Sequence, residues 1–167
     1  KIQSDAKKFL YELLSVINRS SRKAQTGTSH WNSICQNWKQ KYPVVLREYK
    51  DQKNSVNSYY FTELLSETLT PTDVIVTDMG LSFQGTHQAF KVKKGQRLMT
   101  NCGFAAMGWG LPAAIGACIA SDKKRTICIT GEGGLMLNIQ ELATISCNKL
   151  PIKLFIYNNG GYLTIKQ

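Results

Sequence analysis

Arg125-Thr126-Ile127-Cys128-Ile129-Thr130-Gly131-Glu132-Gly133-Gly134 and, further on, Ile152-Lys153-Leu154-Phe155-Ile156-Tyr157-Asn158-Asn159-Gly160-Gly161 decide how this chain is read. Each is a run of β-branched and aromatic residues that stops at a glycine- or amide-rich turn. Such a run reads as a strand. Between them, 138–147 places Ile139, Leu142, Ala143 and Ser146 on one helical stripe. Strand, helix, strand predicts a parallel pair with a crossover.

The pattern continues toward the N-terminus. Val74-Ile75-Val76-Thr77 is a short strand ending in Asp78-Met79-Gly80, after the turn Thr70-Pro71-Thr72-Asp73. Residues 97–100 read as another strand. Residues 108–120 read as a helix with Pro112 in its first turn, where proline is tolerated. The predicted fold is α/β, a doubly wound parallel sheet with helices on both faces. Such a sheet binds ligands outside the carboxyl ends of its strands. The clusters at 78–80, 131–134 and 158–161 all fall there. Earlier in the chain, 7–17 reads as a helix with Phe9, Leu10, Leu13, Leu14 and Ile17 on one face, and 18–29 has linker composition. Trp31, Ile34, Cys35 and Trp38 recur at helical spacing until Tyr42-Pro43, and a helix is expected near 59–69. No internal repeat is present.

Composition excludes several classes. Of 167 residues, 43% are hydrophobic and 10% aromatic, too many for a disordered chain. The uncharged stretch 102–120 contains Gly103, Gly108, Gly110, Gly116 and Pro112, so it reads as a glycine-rich loop entering a core helix and not as a membrane span. The formal charge is +10, but eleven Lys and Arg against four Asp and Glu sit in residues 1–55. The surplus is therefore remote from the glycine clusters, and no nucleic-acid motif accompanies it. The five cysteines, at 35, 102, 118, 128 and 147, form no CxxC. Reduced thiols in a cytoplasmic protein are expected, with Cys118, Cys128 and Cys147 in the core. His30 and His87 fall in no recognisable motif. Gln140 and Glu141 have catalytic side chains but read as ordinary helix residues.

The turn at 131–134 carries the chemistry. Backbone N–H groups where glycines lead from a strand into a helix suit a phosphate. A carboxylate beside a phosphate calls for a cation between them, and Mg²⁺ prefers oxygen ligands shared with substrate phosphates. Asn159 offers an amide oxygen at the next strand end, and Gly161 offers a backbone carbonyl. Taken alone, such a turn is equally compatible with a tight turn and no ligand.

The spacing adds to this. Gly131-Glu132-Gly133 is separated from Asn158-Asn159 by 24 residues. The pair resembles the thiamine diphosphate motif, which begins Gly-Asp-Gly and ends Asn-Asn after a similar gap. The runs Asn138-Ile139-Gln140-Glu141-Leu142-Ala143-Thr144-Ile145, Leu150-Pro151-Ile152-Lys153 and Met107-Gly108-Trp109-Gly110-Leu111-Pro112-Ala113-Ala114-Ile115-Gly116-Ala117 resemble the acetolactate synthase large subunit family. So do 74–80 and Trp38-Lys39-Gln40-Lys41-Tyr42-Pro43. The resemblance covers most of the chain from Trp31 onward, while Asp5-Ala6-Lys7 and the following helix look like the end of the family's central domain. Residues 1–24 are accordingly expected to be the tail of that domain and a linker. Residues 25–167 are expected to be the thiamine diphosphate-binding domain, truncated at its C-terminus, within a protein about three times as long.

The resemblance implies roles. Glu132, Asn159 and the Gly161 carbonyl would ligate Mg²⁺. Met107 would wedge beneath the cofactor and force its V shape, bringing the 4′-amino group to the thiazolium carbon. Ala105 and the Met107 backbone would hold the aminopyrimidine edge. Met79, Gly80, Leu81 and Ser82 would lie beside the diphosphate, with Gly131, Gly133, Gly134 and Tyr162 completing the contacts. The cofactor would serve as an electron sink for loss of CO₂ from a 2-oxo acid. No catalytic residue is expected in this chain, because the family's activating glutamate belongs to a separate pyrimidine-binding domain. That domain also implies a homodimer or tetramer. A flavin, which some relatives hold in the central domain, is neither implied nor excluded.

Two departures stand out. The family's aspartate is Glu132 here, one methylene longer. The family's usual Gln and His after Met79-Gly80 are Leu81 and Ser82. The expected function is an acetolactate synthase-like decarboxylase that can ligate its product to a second carbonyl. The alternative is a non-catalytic homologue acting as a binding or scaffolding subunit. A Rossmann-like nucleotide module lacks its G-x-G-x-x-G run.

Overall fold

The computed structural model describes residues 2–19, 28–162 and 165. The described chain forms two compact units, 1–43 and 44–167. The domain boundary expected at 24 lies outside the described residues.

The first unit holds α1 (Ala6–Arg19) and α2 (Thr28–Lys41). Asp5 starts α1: its carboxylate accepts the Lys8 N–H at 3.1 Å and its carbonyl accepts the Phe9 N–H. The apolar face expected on α1 is there but buries none of its residues. In α2, Trp31 and Trp38 meet edge to face at 5.8 Å.

The second unit carries the sheet. A 3-10 turn (Arg47–Asp51) leads to α3 (Ser58–Thr68), where the Asn57 side chain caps the N–H groups of Tyr59 and Tyr60. Then follow β1 (Val74–Thr77), α4 (Leu81–Ala89), β2 (Arg97–Met99), α5 (Gly110–Ala120) and β3 (Thr126–Gly131). The chain continues through α6 (Glu132–Leu137), α7 (Glu141–Cys147) and β4 (Ile152–Tyr157). All strand pairs are parallel, in the order β2-β1-β3-β4.

Side-chain alternation divides the core between the two faces. Val74, Val76 and Cys128 pack toward Leu111, Ala114 and Ala117 of α5. Ile75, Ile127 and Ile129 pack on the opposite face against Leu65 and Leu69 at the α3 end. Each buried Leu or Ile here is worth about 1.5–3 kcal/mol over its exposed state. The doubly wound architecture read from the sequence is thus the one observed. The chain leaves β1 toward β2 on one side and returns to β3 on the other, so the topological switch point lies between β1 and β3.

Three readings are corrected. No helix is expected from the sequence at Leu81–Ala89, where α4 stands. The helix expected over 138–147 begins only at Glu141, as α7, and a separate short helix, α6, precedes it at Glu132–Leu137. Asn138 leaves the helical region (φ −138°, ψ 31°), and its side chain donates to the Gly108 carbonyl at 2.8 Å. That break resets the helical phase: Ile145 packs on the core while Ile139 and Leu142 are exposed. Cys147, expected in the core, is exposed for the same reason, whereas Cys118 and Cys128 are buried.

Candidate functional site

A cleft of about 450 Å³ opens at the carboxyl ends of β1 and β3. Its wall includes Met79, Gly80, Leu81 and Ser82 after β1, Ala105 and Met107 before α5, and Gly131, Glu132, Gly133 and Gly134 after β3. Asn159 and Tyr162, after β4, complete it. Gly161 is tied to the same place through Glu132. Every residue that the sequence singled out for cofactor or metal contact therefore gathers around one space.

Local chemistry explains each wall. Gly80 adopts φ 72°, ψ −137°, a conformation that essentially only glycine holds, and so turns β1 directly into α4. Ser82 is buried, and its hydroxyl donates to the Met79 carbonyl at 2.9 Å. Leu81 contributes only apolar surface. Ala105 is left-handed (φ 58°) and is anchored by its N–H to the Asn101 carbonyl at 2.8 Å. Met107 is 39% exposed and lends the cleft wall apolar surface. Gly108 (φ 80°) lets the loop pass so close to α6 that a Cβ would stand 2.8 Å from that of Leu137.

Glu132 links two strand ends. Its Oε1 accepts the N–H of Asn159 at 3.1 Å and of Gly161 at 2.6 Å. Gly160, Gly161 and Tyr162 all have positive φ, which turns the loop back so that these N–H groups converge. The Tyr162 ring closes over Gly133, where an added Cβ would lie 3.0 Å from it. Burial alone would raise the Glu132 carboxyl. The N–H groups of Glu132 itself, Gly161, Asn159 and Gly160 outweigh that and hold it below the usual carboxylate range. Glu132 is therefore an anion at neutral pH.

Glu132, the Asn159 amide and the Gly161 carbonyl are an all-oxygen donor set, which suits a hard divalent cation. Among the described residues no three His, Cys, Asp or Glu side chains gather to cage a metal. A cation here would need oxygens from its ligand as well, the usual situation for Mg²⁺.

The sequence reading missed part of the wall. Phe83, Gln84, Cys102, Tyr157 and Ile165 also line the cleft, and so does Asp78. Asp78 belonged to a noted strand-end cluster, which was the available signal. Phe83 and Gln84 belong to α4, which the periodicity did not reveal.

A glycine-floored cleft at the switch point of a doubly wound sheet, edged by a carboxylate, defines an α/β domain of the kind that holds a phosphorylated ligand. The chain belongs to the thiamine pyrophosphate enzyme family: residues 78–167 match the model described as "Thiamine pyrophosphate enzyme, C-terminal TPP binding domain". It is 37% identical to the acetolactate synthase large subunit of Cyanidium caldarium over 99% of this chain and 28% of that protein. It is 30% identical to acetolactate synthase isozyme 1 large subunit of Escherichia coli (strain K12), again over 99% and 28%. Against the chloroplastic acetolactate synthase 2 of Nicotiana tabacum the identity is 32%, over 95% of this chain and 23% of that protein. The chain thus spans about a quarter of the length of these relatives.

Proposed function

We propose that this chain is the thiamine diphosphate- and Mg²⁺-binding domain of an acetolactate synthase-like enzyme, one that decarboxylates a 2-oxo acid and can join the product to a second carbonyl. The observation that carries the reading is the convergence of Glu132, Asn159 and Gly161 on one side of the cleft, with Met107 and Ala105 on its wall. Glu132, the Asn159 side chain and the Gly161 carbonyl would hold the cation. The turns at 79–82 and 131–134 would receive the diphosphate, and Met107 with the Ala105 carbonyl would orient the ring system. When bound, thiamine diphosphate supplies the electron sink for loss of CO₂. The residues of this chain supply position and exclude water.

In this reading residues 1–24 are the end of a preceding domain. The glutamate that activates the cofactor comes from a pyrimidine-binding domain outside this chain, through a homodimer or tetramer. We assign the protein to the cytoplasm on its free cysteines; separately, among the described residues no helix is long and apolar enough to cross a membrane.

The test is calorimetric titration of the intact protein with thiamine diphosphate, with and without Mg²⁺, repeated on Glu132→Ala. Mg²⁺-dependent binding that weakens at least about a hundredfold in the variant is expected, the size of a lost charged ligand. Absence of binding to the well-folded protein would overturn the reading in favour of a scaffolding homologue. Glu132 in place of aspartate is the observation on that side.

A further inference from the structure

Asp78 is 1% exposed at the end of β1, yet among the described residues its carboxylate is met by neutral donors and by no cation. The Met79 N–H reaches Oδ1 at 2.9 Å, and the Thr130 hydroxyl donates to Oδ2 at 2.8 Å. The Gly108 N–H is shared between both oxygens at 3.1 Å. These donors lie 1, 52 and 30 residues away in sequence. They belong to the exit of β1, the end of β3 and the loop before α5, which are three walls of the cleft.

The approach is close on every side. A Cβ on Gly134 would overlap the Asp78 carboxylate, and one on Gly110 would stand 2.8 Å from the Asp78 Cβ. The Gly108 N–H belongs to the peptide that Met107 contributes. With the Gly108 carbonyl held by Asn138, the loop is gripped on both sides of that glycine. A buried carboxylate of purely local use would cap its own turn. This one spans the switch point and leaves its charge with no counter-ion, a costly arrangement unless its geometry is needed.

We propose that Asp78 is the positioning residue of the cleft: its carboxylate sets Met107 and the 105–108 loop against the β1 exit and the glycine turn at 131–134. What the cleft holds rests on the reading given under Proposed function; the positioning itself does not.

Asp78→Asn keeps the shape but turns one acceptor into a donor. Thr130 can reorient its hydroxyl to match, whereas the Gly108 N–H keeps its contact with the remaining oxygen and loses the one to Oδ2. On the intact protein, hydrogen exchange at 105–108 should accelerate about tenfold, the equivalent of one charge-assisted hydrogen bond, with the β1 and β3 core amides unchanged. Affinity for thiamine diphosphate with Mg²⁺ should fall about tenfold, while Tm moves by only a few degrees. Unchanged exchange at 105–108, or acceleration spread evenly over the core strands, would overturn the proposal. Should the Asn variant fail to fold, Thr130→Val removes a single donor and must accelerate the same loop for the proposal to stand. A wild-type protein that binds no thiamine diphosphate would refute the cofactor reading alone, and the exchange result would still decide the role of Asp78.

Discussion

Asp73 and Arg125 meet just before β1 and β3 begin, at the end of the sheet opposite the cleft. Arg125 donates through Nε at 2.7 Å and through a terminal nitrogen at 2.6 Å, one bond to each carboxylate oxygen. The Thr70 N–H and hydroxyl add two more bonds, at 2.6 and 3.0 Å. The Arg125 hydrogen bonds, joined by those from Thr70, outweigh burial and hold the Asp73 carboxyl below its ordinary 3.8. A carboxyl depressed in the folded state adds stability that is fully present above its unfolded value and is lost as pH falls through the folded one. Asp73→Ala should therefore cost about 2 kcal/mol at pH 7, reduced from the fully buried case because Arg125 is half exposed. In urea unfolding, the gap between wild type and variant should close as the pH drops below about 3.8. A gap that stays constant into acid would show that the pair is not the source of the stability.

α4 shows what a helix looks like when packing, not hydrophobicity, writes its pattern. Its buried residues are Ser82, Gly85, Thr86 and Ala89, a perfect i, i+3, i+4, i+7 series composed of small and polar side chains. No apolar stripe announces it, so hydrophobic periodicity does not reveal it. Thr86 satisfies its hydroxyl on the Ser82 carbonyl at 2.7 Å, as a buried hydroxyl must. A Cβ added at Gly85 would have Thr62 Oγ1 at 3.8 Å and Ser58 Oγ at 4.0 Å, ordinary contacts against α3. Gly85→Ala should be neutral or stabilising by up to about 1 kcal/mol through helix propensity. Gly85→Leu should cost about 1–3 kcal/mol by forcing α4 off α3. Thermal unfolding of the pair separates the two effects, and equal loss in both would mean that even a methyl group does not fit. The break between α6 and α7 follows the same logic. Asn138 stops α6 because its side chain is needed at Gly108, 30 residues earlier in the chain.

Across the second unit, the core and the cleft sit at different places on one sheet, and the cysteines report on both. Burial first, and then the Asp78 charge, push the Cys128 thiol up to about 12. With Cys118 it is buried, while Cys102 on the cleft wall and Cys147 at the end of α7 are exposed. Maleimide at pH 7.5 should label Cys102 and Cys147 on the folded protein and reach Cys118 and Cys128 only on unfolding, because the thiolate is the reactive form. Fast native labelling of Cys128 would mean that the β1–β3 layer opens. Ligand binding in the cleft should slow Cys102 alone.

Short-range pattern carried the strands and the glycine turns, since a β-branched run closed by glycine is a local property of the chain. It also carried the wall of the cleft. A doubly wound sheet sends its strand ends to one side whatever the loops contain, so Met79, Met107, Glu132 and Asn159 had to meet. The roles of Asp78, Asn138 and the small residues of α4 were settled by packing. Each acts through a partner far away in sequence, such as Thr130 for Asp78, and no local window contains both partners. The same holds for Glu132. Its place in the motif was legible, but its grip on the N–H groups of Asn159 and Gly161 exists only because three successive left-handed residues fold that loop back onto it.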